Sequence, residues 1–120
     1  MVYYTVKNKG IKMAKNDIFY KKSQKKAEIL KQLSPHLFWN IDISKLDIKK
    51  NKKTIIERII EYGLDNDEII LWKLYNYFTI KKVAVNMDSL PYLRIKYYSF
   101  VLNIKENKFK CYKNKSYLWN

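Results

Sequence analysis

His36, Cys111, Asp42 and Asp47 are the side chains whose types suggest catalysis or metal binding, and their spacing argues against both. Asp42 and Asp47 stand five residues apart with no third ligand motif, a weak signal for a divalent cation. Helix-capping and turn roles account for both better. His36 and Cys111 are the only histidine and cysteine, so an intramolecular disulfide and a cysteine-based zinc cage are excluded. A Cys–His nucleophile needs a poised, polarised site, and nothing marks one. Lys110 and Lys113 beside Cys111 would lower its pKa, yet a small residue without a chemical role is the plainer reading. His36 follows Pro35 at a helix exit, where it is expected to cap or pack. A Gly-rich phosphate loop and a paired-histidine metal helix are both missing from the sequence. These residues predict no catalytic group, no metal and no cofactor.

Charge and aromatic rings offer a second kind of chemistry. The chain carries a formal net charge of +14. Residues 1–33 hold nine lysines against Asp17 and Glu28, a balance of +7; residues 105–120 hold five against Glu106, a balance of +4. The intervening 71 residues are left with +3. Such a field attracts polyanions and speeds their encounter. Arg58 and Arg94 are the only arginines, and lysine reads guanine edges less well than arginine does. Contact with a phosphate backbone is therefore favoured over sequence readout. The tail, with Lys110, Tyr112, Lys113 and Lys115 among Phe109, Tyr117 and Trp119, has the composition to stack bases while lysines meet phosphates. Alternatively, Phe109 and Trp119 fold back onto the domain and the lysines face water.

The elements that must position these groups are mostly helical. Two glycines and two prolines in 120 residues are too few for a fold of many tight turns. Three segments are expected: a basic leader (1–21), either a short strand or a disordered arm, with Met13 a second candidate start; a helical domain (22–104); and the basic aromatic tail (105–120). A helix over 22–33 ends at Ser34-Pro35. Residues 37–47 read as an extended, anchored loop in which Phe38 and Trp39 point to opposite sides, one plugging the core and the other packing on the domain or facing a partner. Arg58 is expected to reach Asp42 or Asp47 and pin this loop. The clearest helix covers 51–62, with Ile55, Ile56, Ile59 and Ile60 on one face and Gly63 as the residue just past its end. A second helix, 66–78, is capped by Asp65 or Asn66 and is apolar nearly all round, hence expected at the centre. Thr79 caps a third helix, 80–87, and a fourth covers about 92–103. The expected fold is a mainly α, single small bundle of four to five short helices. Helices joined by tight turns could make a helix-turn-helix, with Arg94, Lys96 and Tyr98 as readers on the fourth.

Leu37-Phe38-Trp39-Asn40-Ile41-Asp42, the pair Leu46-Asp47 and the helix Ile55–Gly63 together resemble a family of short, uncharacterised bacterial proteins. That family's pattern is Leu-Phe-Trp-Asp-Val-Asp, a Leu-Asp pair, then Ile-Ile-Glu-Arg-Val-Leu-Glu-Tyr-Gly. Tyr97-Tyr98-Ser99 stands where Phe-Trp-Ser is usual, and the closing aromatic tail is similar to that of some members. The chain departs at Asn40, in place of Asp, and in lacking the usual Ser-Pro start to the helix after Pro91. The resemblance implies no reaction. Members are often encoded beside nucleotidyltransferase-type toxins of abortive-infection systems, which implies an antitoxin-like or regulatory role.

Two functions follow as expectations. One is a non-enzymatic, antitoxin-like DNA-binding or other nucleic-acid-binding module; the other is a protein-interaction module docking onto an acidic partner, such as a nucleotidyltransferase-type toxin. The opening residues lack the apolar region of a signal peptide, and no apolar run reaches the length of a membrane span. A cytoplasmic, soluble protein without a membrane partner is expected.

Overall fold

Four isoleucines organise the fold. The computed structural model describes residues 25–113 and the backbone of Tyr117–Leu118. Residues 25–30 form helix α1, the described end of the helix expected over 22–33. Helix α2 (Lys52–Tyr62) turns Ile55, Ile56, Ile59 and Ile60 inward, and all four are completely shielded from water. Isoleucine is a mediocre helix former, so burial of this face, roughly 1.5–3 kcal/mol for each full side chain, holds the helix more than propensity does. α3 (Asp65–Leu74) adds Ile70, Leu71 and Leu74 to the core; α4 (Tyr77–Val85) adds Ile80 and Ala84; α5 (Tyr92–Leu102) adds Ile95, Tyr98 and Leu102. α2 packs against both α3 and α4 and against the 3₁₀ turn Pro35–Phe38. The protein is a mainly helical small bundle, as the sequence predicts.

The centre belongs to α2, not to α3. α3 breaks early, at Tyr75, because Asn76 caps a new helix by accepting the Thr79 N–H at 2.9 Å. The start of α4 therefore falls at Tyr77 and its cap is Asn76 rather than Thr79. The other side of α3 is apolar but exposed, with Ile69 and Trp72 facing water. Tyrosine hydroxyls fasten the joints: Tyr75 donates to the Ile48 carbonyl at 2.7 Å, and Tyr77 to that of Leu102 at 2.6 Å.

The 37–47 segment is anchored but not extended. It follows one 3₁₀ turn (Pro35–Phe38) with a second (Ile43–Lys45), capped by the Asp42 carboxylate on the Ser44 N–H. Pro35 at the first position of the earlier turn and an Asx cap on the later one supply the local reasons.

The tail joins the domain. After a 3₁₀ turn at Glu106–Lys108 and the short helix α6 (Lys110–Lys113), strand β2 (Tyr117–Leu118) pairs in parallel with β1 (Leu90–Pro91). Phe109 and Cys111 are fully buried, so folding back prevails over a free aromatic arm there. The leader, Lys115 and Trp119 lie outside the described residues.

Gly63 ends α2, though not through a left-handed backbone. Its φ is −69°, and its N–H bonds the Ile59 carbonyl at 2.8 Å. A β-carbon on Gly63 would stand 2.4 Å from that carbonyl oxygen. Gly63→Ala is therefore expected to cost about 2 kcal/mol through backbone displacement, measurable by urea denaturation. A loss below about 0.5 kcal/mol would show that the turn simply opens.

Candidate functional site

The first residues of α2 carry charge of the wrong sign for a helix start. Lys52 and Lys53 open it, the first turn holds no acidic residue, and Asn51 makes no side-chain cap bond. Cations near a helix N-terminus oppose the macrodipole and cost a few tenths of a kcal/mol or more each. The turn before them is shaped by Asp47, whose carboxylate accepts the Lys49 and Lys50 N–H groups at 2.8 Å each. These backbone bonds, with the charges of Lys50 and Lys49, hold the Asp47 carboxyl below its usual pKa. Asp42 is likewise lowered, by the Ser44 hydroxyl and N–H. Both aspartates thus serve turns, and among the described residues no cluster of His, Cys, Asp and Glu is arranged to hold a metal.

Lys52 and Lys53 meet α4 across a groove of about 510 Å³, whose far wall is Phe78, Lys82 and Asn86. Phe78 is 77% exposed and stands edge-on to Tyr77, with ring centroids 5.3 Å apart. Asn86 Nδ2 donates to the Lys82 carbonyl at 2.7 Å, which fixes the end of α4. Lys49 and Lys50 extend the exposed positive charge along the preceding turn. On the Lys53 side lies Asp88, whose carboxyl is lowered by the bound Lys110 ammonium, 2.8 Å away. Four lysines were legible as a run, Lys49-Lys50-Asn51-Lys52-Lys53, but averaging charge over 34–104 hides them.

The helix expected to read bases has other duties. Arg94 donates to Glu68 Oε1 at 2.8 Å and to the Gly63 carbonyl at 2.9 Å, locking α5 to the α2–α3 corner. Tyr98 is wholly buried and cannot reach a ligand at the surface. Burial, then the Glu68 charge, push its hydroxyl well above the ordinary tyrosine value. The hydroxyl lies near Glu68, but no hydrogen-bond partner meets it with good geometry. Tyr98→Phe should consequently leave stability unchanged or raise it by up to about 1 kcal/mol in thermal denaturation. A clear loss would mean that Glu68 satisfies the hydroxyl. Lys96 is exposed, with its ammonium 5.8 Å from the Tyr92 ring centroid.

Of the tail residues, Lys110 pairs with Asp88, Tyr112 stacks on Tyr92 at 6.4 Å and Lys113 is exposed. Tail and reader helix thus meet at Tyr92, on which Tyr112 stacks and beside which the Lys96 ammonium lies, but Arg94 and Tyr98 are held away from that pair. Cys111 is buried, which raises its thiol pKa rather than activating it. His36 Nε2 donates to the Tyr62 carbonyl at 2.9 Å and caps the end of α2.

Arg58 does pin the 37–47 segment, but not through Asp42 or Asp47. It donates to the Leu37 carbonyl at 2.9 Å and to Asn40 Oδ1 at 3.1 Å. The 3₁₀ turn brings these two acceptors toward α2, while Asp42 turns to its own Ser44. Phe38 is the buried ring; Trp39 is outside, 62% exposed, with the Arg58 guanidinium 4.4 Å from its centroid and Tyr62 edge-on at 5.5 Å.

A family of unknown function, DUF6922, matches the chain over residues 33–84, a span that runs from the 3₁₀ turns through most of α4. Neither a curated protein nor a solved structure matches it. Among the described residues, no helix is long and apolar enough to cross a membrane.

Proposed function

We propose that this chain is a non-enzymatic binding module that contacts the phosphate backbone of a nucleic acid through the groove between the start of α2 and α4. The observation that carries the reading is the placement of Lys52 and Lys53 at a positive helix end, facing Lys82 across an opening edged by the exposed Phe78 ring. Three ammonium groups around one opening repel one another, and an anion relieves that repulsion. Phe78 adds a surface on which a base can stack. Lysine in place of arginine favours backbone contact with little sequence preference. The net charge of +14 supplies long-range attraction.

The resemblance to proteins encoded beside abortive-infection nucleotidyltransferases adds an antitoxin-like, regulatory setting to this reading. An acidic protein partner is the second reading, favoured by the net charge of +14. Fluorescence anisotropy with a labelled duplex and a labelled single strand, titrated across salt, tests the first. Binding at low salt that weakens steeply as salt rises is expected. No binding even at low salt would reject it. Recovery of one stoichiometric acidic protein from the native host, free of nucleic acid, would favour the second.

A further inference from the structure

Leu64 just before α3, Ile69 and Trp72 on it, and Leu93, Tyr97 and Phe100 on α5 are all exposed, Phe100 to 85%. Single exposed apolar side chains are ordinary, but six large ones at two joined helices are not. The Arg94–Glu68 ion pair ties the helices together, and Glu68 also acts on Tyr97, raising its hydroxyl pKa. Tyr97 therefore stands at the junction beside Glu68, whose neighbour in α3 is Ile69, and none of the six apolar residues lines the lysine groove.

We propose that this face docks a second copy of the chain, with α3 antiparallel to its counterpart across a twofold axis. The charge pattern supports that occupant. Along its exposed side α3 carries Asp65 at its start, Ile69 and Trp72 in the middle and Lys73 at its end. Antiparallel pairing sets Asp65 of each copy opposite Lys73 of the other and puts Ile69 on the axis. Such a stripe is complementary to itself, as a twofold interface requires. The face is also nearly neutral: Asp65 and Glu68 offset Lys73 and Arg94, leaving Lys96, on a chain whose net charge is +14. A second basic chain meets less repulsion here than at the lysine-rich groove.

The inference stands apart from nucleic-acid binding, and salt separates the two. Screening the repulsion between two chains of +14 leaves an apolar dimer as strong or stronger, whereas nucleic-acid binding weakens with salt. Sedimentation velocity at tens of micromolar protein, in low and high salt without nucleic acid, is expected to show twice the 14.6 kDa chain mass, more fully so in high salt. Phe100→Glu, at a ring that the single chain leaves exposed, should return the protein to monomer with an unchanged circular dichroism melt. Ile69→Cys should cross-link under mild oxidation, because position 69 meets its own copy while Cys111 is buried. A chain that stays monomeric at every concentration, or a dimer that Ile69→Cys does not cross-link, would overturn the proposal.

Discussion

Asp67→Ala is expected to destabilise the domain by about 3 kcal/mol, more than the loss of any exposed charge. Asp67 is the one charged side chain fully shielded from water among the described residues. Its two oxygens divide their work: Oδ2 accepts the Leu64 N–H at 2.9 Å, starting α3, and Oδ1 accepts the Ser34 N–H at 2.8 Å, holding the end of the first helical segment. Alanine strands both donors, and each stranded buried N–H costs roughly 1–3 kcal/mol. Asn offers one acceptor and turns an amide toward the other donor, so Asp67→Asn should fall between alanine and the native protein. Burial alone would push the Asp67 carboxyl up; the two N–H groups, with the His36 charge, outweigh it and hold the pKa below 3.8. A carboxyl lowered on folding stabilises above its unfolded pKa, and that contribution fades as pH falls through the folded value. The native protein should therefore lose this contribution below about pH 4, and Asp67→Asn should lose less over the same range. Denaturant titrations at neutral and acid pH check both. Equal acid sensitivity in the two proteins would place the lability elsewhere.

The helical core was legible because its signals are local. Ile55, Ile56, Ile59 and Ile60 recur at helical spacing, and burial of that face needs no partner to be guessed. Long-range choices were not legible. Asp67 reads as a first-turn carboxylate suited to the helix dipole, yet its second bond goes to Ser34, 33 residues away. Asn76 and Thr79 both suit a cap; the backbone break at Tyr75 decides for Asn76. α3 is apolar on nearly every side, and sequence alone places such a helix at the centre. Its outer Ile69 and Trp72 are instead at the surface. Arg94 and Tyr98 look like readers because charge and rings on one helix suggest a ligand, but Glu68 and the core claim them. The lysine groove needs α2 and α4 side by side, a tertiary fact, although the run Lys49–Lys53 already marked half of it.

Replacing Lys52, Lys53 and Lys82 together by alanine is the second large expected effect. All three are exposed, so the fold should tolerate the change, and removing Lys52 and Lys53 from a helix start should even gain a few tenths of a kcal/mol. Each ammonium that meets a phosphate releases counterions and adds about 0.9 to the slope of log K against log salt on a duplex. Loss of all three should weaken binding by roughly 10²–10³ at low salt and flatten the slope by about 2–3. Lys96→Ala with Lys113→Ala removes two exposed charges away from the groove and should change the slope by less than about 1.

The salt slope of the native protein beside that of the Lys52/Lys53/Lys82→Ala variant is the most direct measurement. Slopes that differ by about 2–3, with the variant folded as stably as the native chain, are the predicted result. Equal slopes, or a native protein that binds no nucleic acid at low salt, would contradict the assignment of the groove.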